Sequence, residues 1–159
     1  MCVRDRLKEL GIELPSGVRA MGSYVPVVIT GNLCFTAGQT PRVNGKMKYA
    51  GKMGAGATLE EGYQAARLCA INCLSIIDQA VGIERVARIV KVTGFVNAAP
   101  DFTEPTQVIN GASDLLMEVF GEQGRHARSA VGVQSLPSNA IAEVEMVVML
   151  KDDGEAVAD

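Results

Sequence analysis

In the stretch Arg125-His126-Ala127-Arg128-Ser129-Ala130-Val131-Gly132-Val133-Gln134-Ser135-Leu136-Pro137-Ser138-Asn139-Ala140-Ile141-Ala142-Glu143-Val144-Glu145, charged residues stand inside sequence that otherwise reads as β-strand. From Ala142 onward, period-two alternation puts Val144, Met146, Val148 and Leu150 on one face, and Ile141, Glu143, Glu145, Val147 and Met149 on the other. The first face is wholly apolar and belongs against a core. In the preceding run, Ser129, Val131 and Val133 share one face, while Arg128, Ala130, Gly132 and Gln134 share the opposite one. Read as a hairpin turning near Pro137, the two runs place Arg128 and Glu143 on the same non-core face, though not directly opposite each other.

Arg128 thus stands over the small neighbours Ala130 and Gly132, which leave room for a planar anion. Its forked donors suit bidentate binding of a carboxylate or phosphate. The plainer alternative is a cross-strand ion pair between Arg128 and Glu143 or Glu145, and alternation alone does not choose between the two.

Working outward, Thr58-Leu59-Glu60-Glu61 has the form of a capping box, with Thr58 at the N-cap and Glu61 three residues on. It opens a helix on which Tyr63, Ala66, Ala70, Leu74 and Ile77 recur at helical spacing until Gly82 stops it. Val86 to Val96 is rich in β-branched residues and long enough for a central strand. A second helix begins near Pro105, with a buried stripe of Val108, Ala112, Leu115 and Val119, and ends near Gly121. Gly111 in its interior costs about 1 kcal/mol relative to alanine, so it implies an irregular helix start or a close approach by another group. Asn110 points roughly away from the Val108 stripe and reads as solvent-facing surface or as a site residue, geometry alone favouring the surface.

Toward the N-terminus, Ser23 to Thr30 and Leu33 to Gly38 flank a Gly31-Asn32 joint and predict a hairpin, in which Pro26 belongs on an edge, at a bulge or on an unpaired side. Residues 3 to 10 predict a short amphipathic helix, an appendage closed by Gly11. The Gly- and Lys-rich passage from 41 to 56 predicts a mobile surface loop, and its lack of a GKS or GKT ending excludes a P-loop. The order hairpin, helix, strand, helix, strand, strand indicates α+β, one sheet with two long helices on one face. Nothing remains to cover the other face, which predicts an oligomer with pockets lined by more than one subunit.

The 159 residues, 48% apolar, suit one domain over 1–159 with an N-terminal helical extension of about fifteen residues. A net charge of -3 and a pI near 5.2 disfavour nucleic-acid binding, and no basic run appears. A charged N-terminus without an apolar run behind it, and no stretch of membrane-spanning length, predict a soluble cytoplasmic protein that makes no membrane contact. Cys2, Cys34, Cys69 and Cys73 lack metal-site spacing, and the one histidine, His126, is remote from them, so no metal is expected. Cys69 and Cys73, one helical turn apart, admit a redox or metal reading, but a pair of buried thiols is the commoner one.

Taken in order, several of these features resemble the Rid family of reactive enamine/imine deaminases, also called YjgF-like or endoribonuclease L-PSP-like. They are the Gly31-Asn32 turn, Thr36-Ala37-Gly38-Gln39-Thr40-Pro41 where the family has T-S-G-Q-x-P, the strand at Val90 to Val96, Asn110, Ala127-Arg128-Ser129-Ala130-Val131, Leu136-Pro137 and Glu143-Val144-Glu145. The resemblance implies a chorismate-mutase-like subunit, a homotrimer around a β-barrel and sites in the clefts between subunits. It implies that Arg128 holds a substrate carboxylate, that Glu143 stands near the attacking water, and that Tyr24, Gly38 and Asn110 line the pocket, with no cofactor. This chain departs from the family in having Ala37 where the deaminases have serine and Ala130 where they commonly have cysteine. The rival expectation is a regulatory trimer that binds a small carboxylate without turnover. A ribonuclease is disfavoured by the acidic pI and the lack of a histidine pair.

Overall fold

A computed structural model describes residues 2–20 and 22–152 of the chain, so the final residues of the expected 1–159 unit lie outside the described part. The capping box forms as predicted. Thr58 Oγ1 accepts from the Glu61 amide and the Glu61 carboxylate accepts from the Thr58 amide, satisfying two N-terminal donors of helix α2, Leu59–Val81. Helix α3, Pro105–Phe120, begins with proline in its first turn, where the missing N–H is no loss.

The helices cross at Gly111. A Cβ built there would meet the Tyr63 carbonyl oxygen at 1.9 Å, so only glycine lets the two backbones approach this closely. Of the two sequence readings for Gly111, close approach is the one observed. Tyr63 Oη donates to Asp114 across the crossing at 2.9 Å, and Arg67 pairs with Glu118 at 2.7 Å.

The main sheet comprises β1 (Val27–Thr30), β2 (Leu33–Thr36), β5 (Val86–Asn97), β6 (Ala127–Val133) and β7 (Ala142–Leu150) in the order β1-β2-β7-β5-β6. Neighbours are antiparallel except β5 and β6, which are parallel. Pro26 directly precedes the edge strand β1, and its carbonyl accepts from the Ala37 amide. Both helices lie on one face: Val92, Val144, Met146 and Val148 are buried there, and Gly94 makes room for Ile109 of α3. This confirms the α+β class.

The expected β6–β7 hairpin does not form. β5 lies between the two strands, and α3 supplies the crossover that a parallel β5–β6 pair requires. Arg128 pairs with Val92, which pairs with Met146, so Arg128 faces the helices. Glu143 pairs with Phe95, which pairs with Val131, and these three share the open face. Arg128 and Glu143 therefore occupy opposite faces, and the shared face expected from alternation is corrected.

Two further expectations are revised. The 41–56 passage folds back as a short hairpin, β3 (Arg42–Val43) with β4 (Lys46–Met47), and is tied down at its far end by Met53, only 2% exposed. The buried Asn97 side chain donates to the Gly51 carbonyl, while Lys52 Nζ donates to Asn97 Oδ1 at 2.7 Å and to the Gln134 carbonyl. Helix α1, Val3–Glu9, is docked: Glu84 accepts from the Val3 and Arg4 amides, and Leu7 is buried.

Cys69 and Cys73 are fully buried under β7, where their thiols donate to the carbonyls of Ala142 and Val144 at 3.5 and 3.2 Å. Burial pushes the Cys73 thiol up to about 12 and Cys69 well above its ordinary value, so both are packing groups. No described helix is long and apolar enough to cross a membrane.

Candidate functional site

Arg128 leaves the edge strand β6 toward the first turns of α3. Its Nη1 donates to Asn110 Oδ1 at 2.8 Å and to Ser113 Oγ at 3.1 Å, and Nη2 reaches the Thr106 carbonyl at 3.4 Å. Asn110 is exposed, as its helical phase suggests, yet its amide oxygen is engaged by the guanidinium. All three acceptors are neutral. They orient the guanidinium without cancelling its charge, and among the described residues its Nε–H has no partner. Both acids of the expected ion pair lie across the sheet. Ala130, two residues along on the same face, is half-buried against the core and paired with Gly94.

A second cluster forms where the chain leaves β2. Gln39 and Val144 exchange backbone hydrogen bonds at 2.8 and 3.0 Å, which draws Ala37 and Gly38 against β7. A Cβ at Gly38 would lie 2.1 Å from Glu143 Oε1, so glycine is what lets the carboxylate rest on the backbone here. Burial, and secondarily the neighbouring Glu145 charge, push the Glu143 carboxyl above its ordinary value. Tyr24, half exposed, borders a cavity of about 330 Å³ together with Gly38, Gln39, Thr40, Arg42 and Arg19.

Within one chain, then, the candidates fall into two groups: Arg128, Asn110 and Ala130 at one edge of the sheet, and Tyr24, Ala37, Gly38 and Glu143 around β2 and β7. Sequence reasoning gave Ser113 no role and considered His126 apart from Arg128, whereas the structure joins all three. His126 Nε2 lies 2.9 Å from Ser113 Oγ, and its Nδ1 lies 2.6 Å from the Gly124 carbonyl oxygen. The available signal was the i, i+3 spacing of Asn110 and Ser113, which aligns two acceptors on one helix face.

The fold is that of a chorismate-mutase-like α+β protein, and at the sheet edge it carries an arginine held by neutral acceptors. The family described as "YjgF/chorismate_mutase-like, putative endoribonuclease" matches residues 4–150, and the chain belongs to it. It is 46% identical to protein TCP17 of Trypanosoma cruzi, with 94% of this chain and 95% of that protein covered. More distantly, it is 28% identical to a 2-iminobutanoate/2-iminopropanoate deaminase of Dermatophagoides farinae, over 88% and 95% of the two chains.

Among solved structures, protein Atu1372 of Agrobacterium tumefaciens is 42% identical with a TM-score of 0.84, covering 94% of this chain and 92% of that one. A Shewanella oneidensis structure is 37% identical with a TM-score of 0.90, covering 94% and 100%. Escherichia coli TdcF, solved with bound serine, is 26% identical with a TM-score of 0.60, covering 84% and 92%.

Proposed function

We propose that the protein hydrolyses reactive enamine or imine derivatives of amino acids to 2-oxo acids and ammonia, without a cofactor. In this reading the chain is one domain, with residues 1 to about 15 as a helical extension, and it works as a homotrimer. The Arg128 corner of one subunit faces the Tyr24, Gly38 and Glu143 cluster of the next. The observation that carries the reading is the Arg128 guanidinium, oriented by neutral acceptors alone and open on its Nε edge. Two relatives lend support, one named as an imine deaminase and one solved with serine, which carries an α-carboxylate. The apolar open face, with Val28 55% and Phe35 40% exposed, supports assembly.

The chemistry asks for an anion clamp and a placed water more than for a strong nucleophile. Arg128 binds the carboxylate beside the electrophilic carbon. Water adds to the protonated imine carbon while Glu143 takes its proton, a task suited to a carboxylate whose proton affinity burial has raised. Glu143 then returns that proton to the nitrogen of the adduct. The C–N bond breaks as the adduct's hydroxyl proton passes to Glu143 and on to the departing ammonia, and the carbonyl of the 2-oxo acid and an ammonium ion remain. Ala37 and Ala130 add no hydroxyl or thiol, so this scheme assigns them only to the pocket wall.

The test is ammonia release from imino acids generated in place by an amino-acid oxidase acting on a small panel of amino acids. Release faster than the uncatalysed rate, and lost in Arg128→Ala, is the expected result. Carboxylate binding without faster release would leave a regulatory binding trimer instead.

A further inference from the structure

The hydrogen bonds beside Arg128 can be given a direction. The Gly124 carbonyl only accepts, so His126 Nδ1, 2.6 Å away, must donate to it. A neutral ring then has a lone pair at Nε2, and Ser113, 2.9 Å away, must point its hydroxyl proton there. This turns the lone pairs of Ser113 Oγ toward Arg128 Nη1 at 3.1 Å. The far end of the chain is fixed, because a Cβ at the buried Gly124 would meet the Leu116 carbonyl oxygen of α3 at 2.2 Å.

We propose that Ser113 and His126 are positioning residues for the Arg128 clamp, with His126 held as its Nδ1–H tautomer so that Ser113 presents an acceptor, never a donor, to the guanidinium. The donors run one way, from Arg128 to Ser113 to His126 to Gly124, and such aligned chains strengthen one another. Without the imidazole lone pair the Ser113 hydroxyl is free to rotate, and the guanidinium loses one of the two acceptors that fix Nη1. The proposal rests on the carboxylate-binding role given to Arg128 above.

Because His126 is the sole histidine, nitrogen-15 labelling gives one pair of ring resonances and the tautomer can be read directly. At pH 8 the expected spectrum has Nδ1 pyrrole-like and Nε2 pyridine-like, and the reverse assignment, or a doubly protonated ring, overturns the proposal. Calorimetry with 2-oxobutanoate as the carboxylate probe supplies the second readout. Ser113→Ala is expected to weaken binding about three- to tenfold with melting temperature little changed, and Ser113→Thr, which keeps the hydroxyl, to restore it. Unchanged affinity in Ser113→Ala, while Arg128→Lys weakens binding, overturns the positioning role alone. Failure of the wild-type protein both to bind the probe and to release ammonia overturns the functional reading, and this proposal with it.

Discussion

The two faces of the sheet handle charge in opposite ways. On the helix face, where Val92, Val144, Met146 and Val148 are buried, Arg128 is met by neutral acceptors from α3. On the open face, Glu143 and Glu145 stand among Phe35, Phe95, Val131 and Val147 with no helix of the described residues above them. The covered face has solved its packing within one chain, and it holds its cation with α3 backbone and side-chain oxygens. The open face presents apolar area and acids together, a combination that makes sense when another surface closes over it. A fold with both kinds of face can hold half a site ready on each.

The largest expected effect comes from charging the open face. Phe35→Glu would place a carboxylate opposite Val147 in each subunit, and an uncompensated buried charge costs about 3 to 5 kcal/mol. Sedimentation should show a trimer for the wild type and a monomer for the variant, and a wild-type monomer at micromolar concentration would refute the assembly. On the covered face, Gly111→Ala forces a Cβ onto the Tyr63 backbone and should cost about 3 kcal/mol, the upper end of overpacking, in urea unfolding.

Arg128→Lys sharpens the contrast, since it keeps the charge and loses the fork. It should weaken carboxylate binding by roughly one to two decades, worth about 1.5 to 3 kcal/mol, with little change in melting temperature. A lowered melting temperature with unchanged affinity would make Arg128 a packing residue.

The smallest effect, and one of opposite sign, is expected at Glu143. Its carboxyl holds a proton more firmly folded than unfolded, so its favourable contribution to stability is present below about pH 4.3 and lost as pH rises through the raised folded value. Glu143→Gln should therefore raise the melting temperature at pH 7 and have almost no effect at pH 4, while abolishing ammonia release. A melting temperature lowered at pH 7 would show that the carboxylate has a stabilising partner.

Local signals in the chain were legible wherever they close locally. The Thr58–Glu61 box, the Pro105 start and the Gly31-Asn32 turn each work through bonds spanning a few residues. The strand alternation was also legible, with Val144 to Leu150 on the core face as read. What alternation cannot convey is which strand lies next to which. Leu136-Pro137 looks like a hairpin turn, and only the tertiary structure reveals that β5 intervenes between β6 and β7.

Without β5 between them, the two strands read as a hairpin put Arg128 on the uncovered face, whereas α3 supplies oxygens for it on the covered one. The 41–56 passage misled by composition: its glycines and lysines look solvated, but Met53 and Lys52 anchor it. As a lone histidine, His126 signals in sequence only the lack of a metal site and of a histidine pair, and its link to Ser113 closes across the turn between α3 and β6.

The two thiols of α2 that donate to the Ala142 and Val144 carbonyls sit directly behind Glu143 on its own strand. Thiolate is the reacting species, and with Cys73 near 12 almost none exists at neutral pH while α2 stays seated. An alkylating reagent therefore reads how often the helix lifts from β7, so the labelling rate of this pair is a built-in clock for local opening behind the candidate catalytic carboxylate.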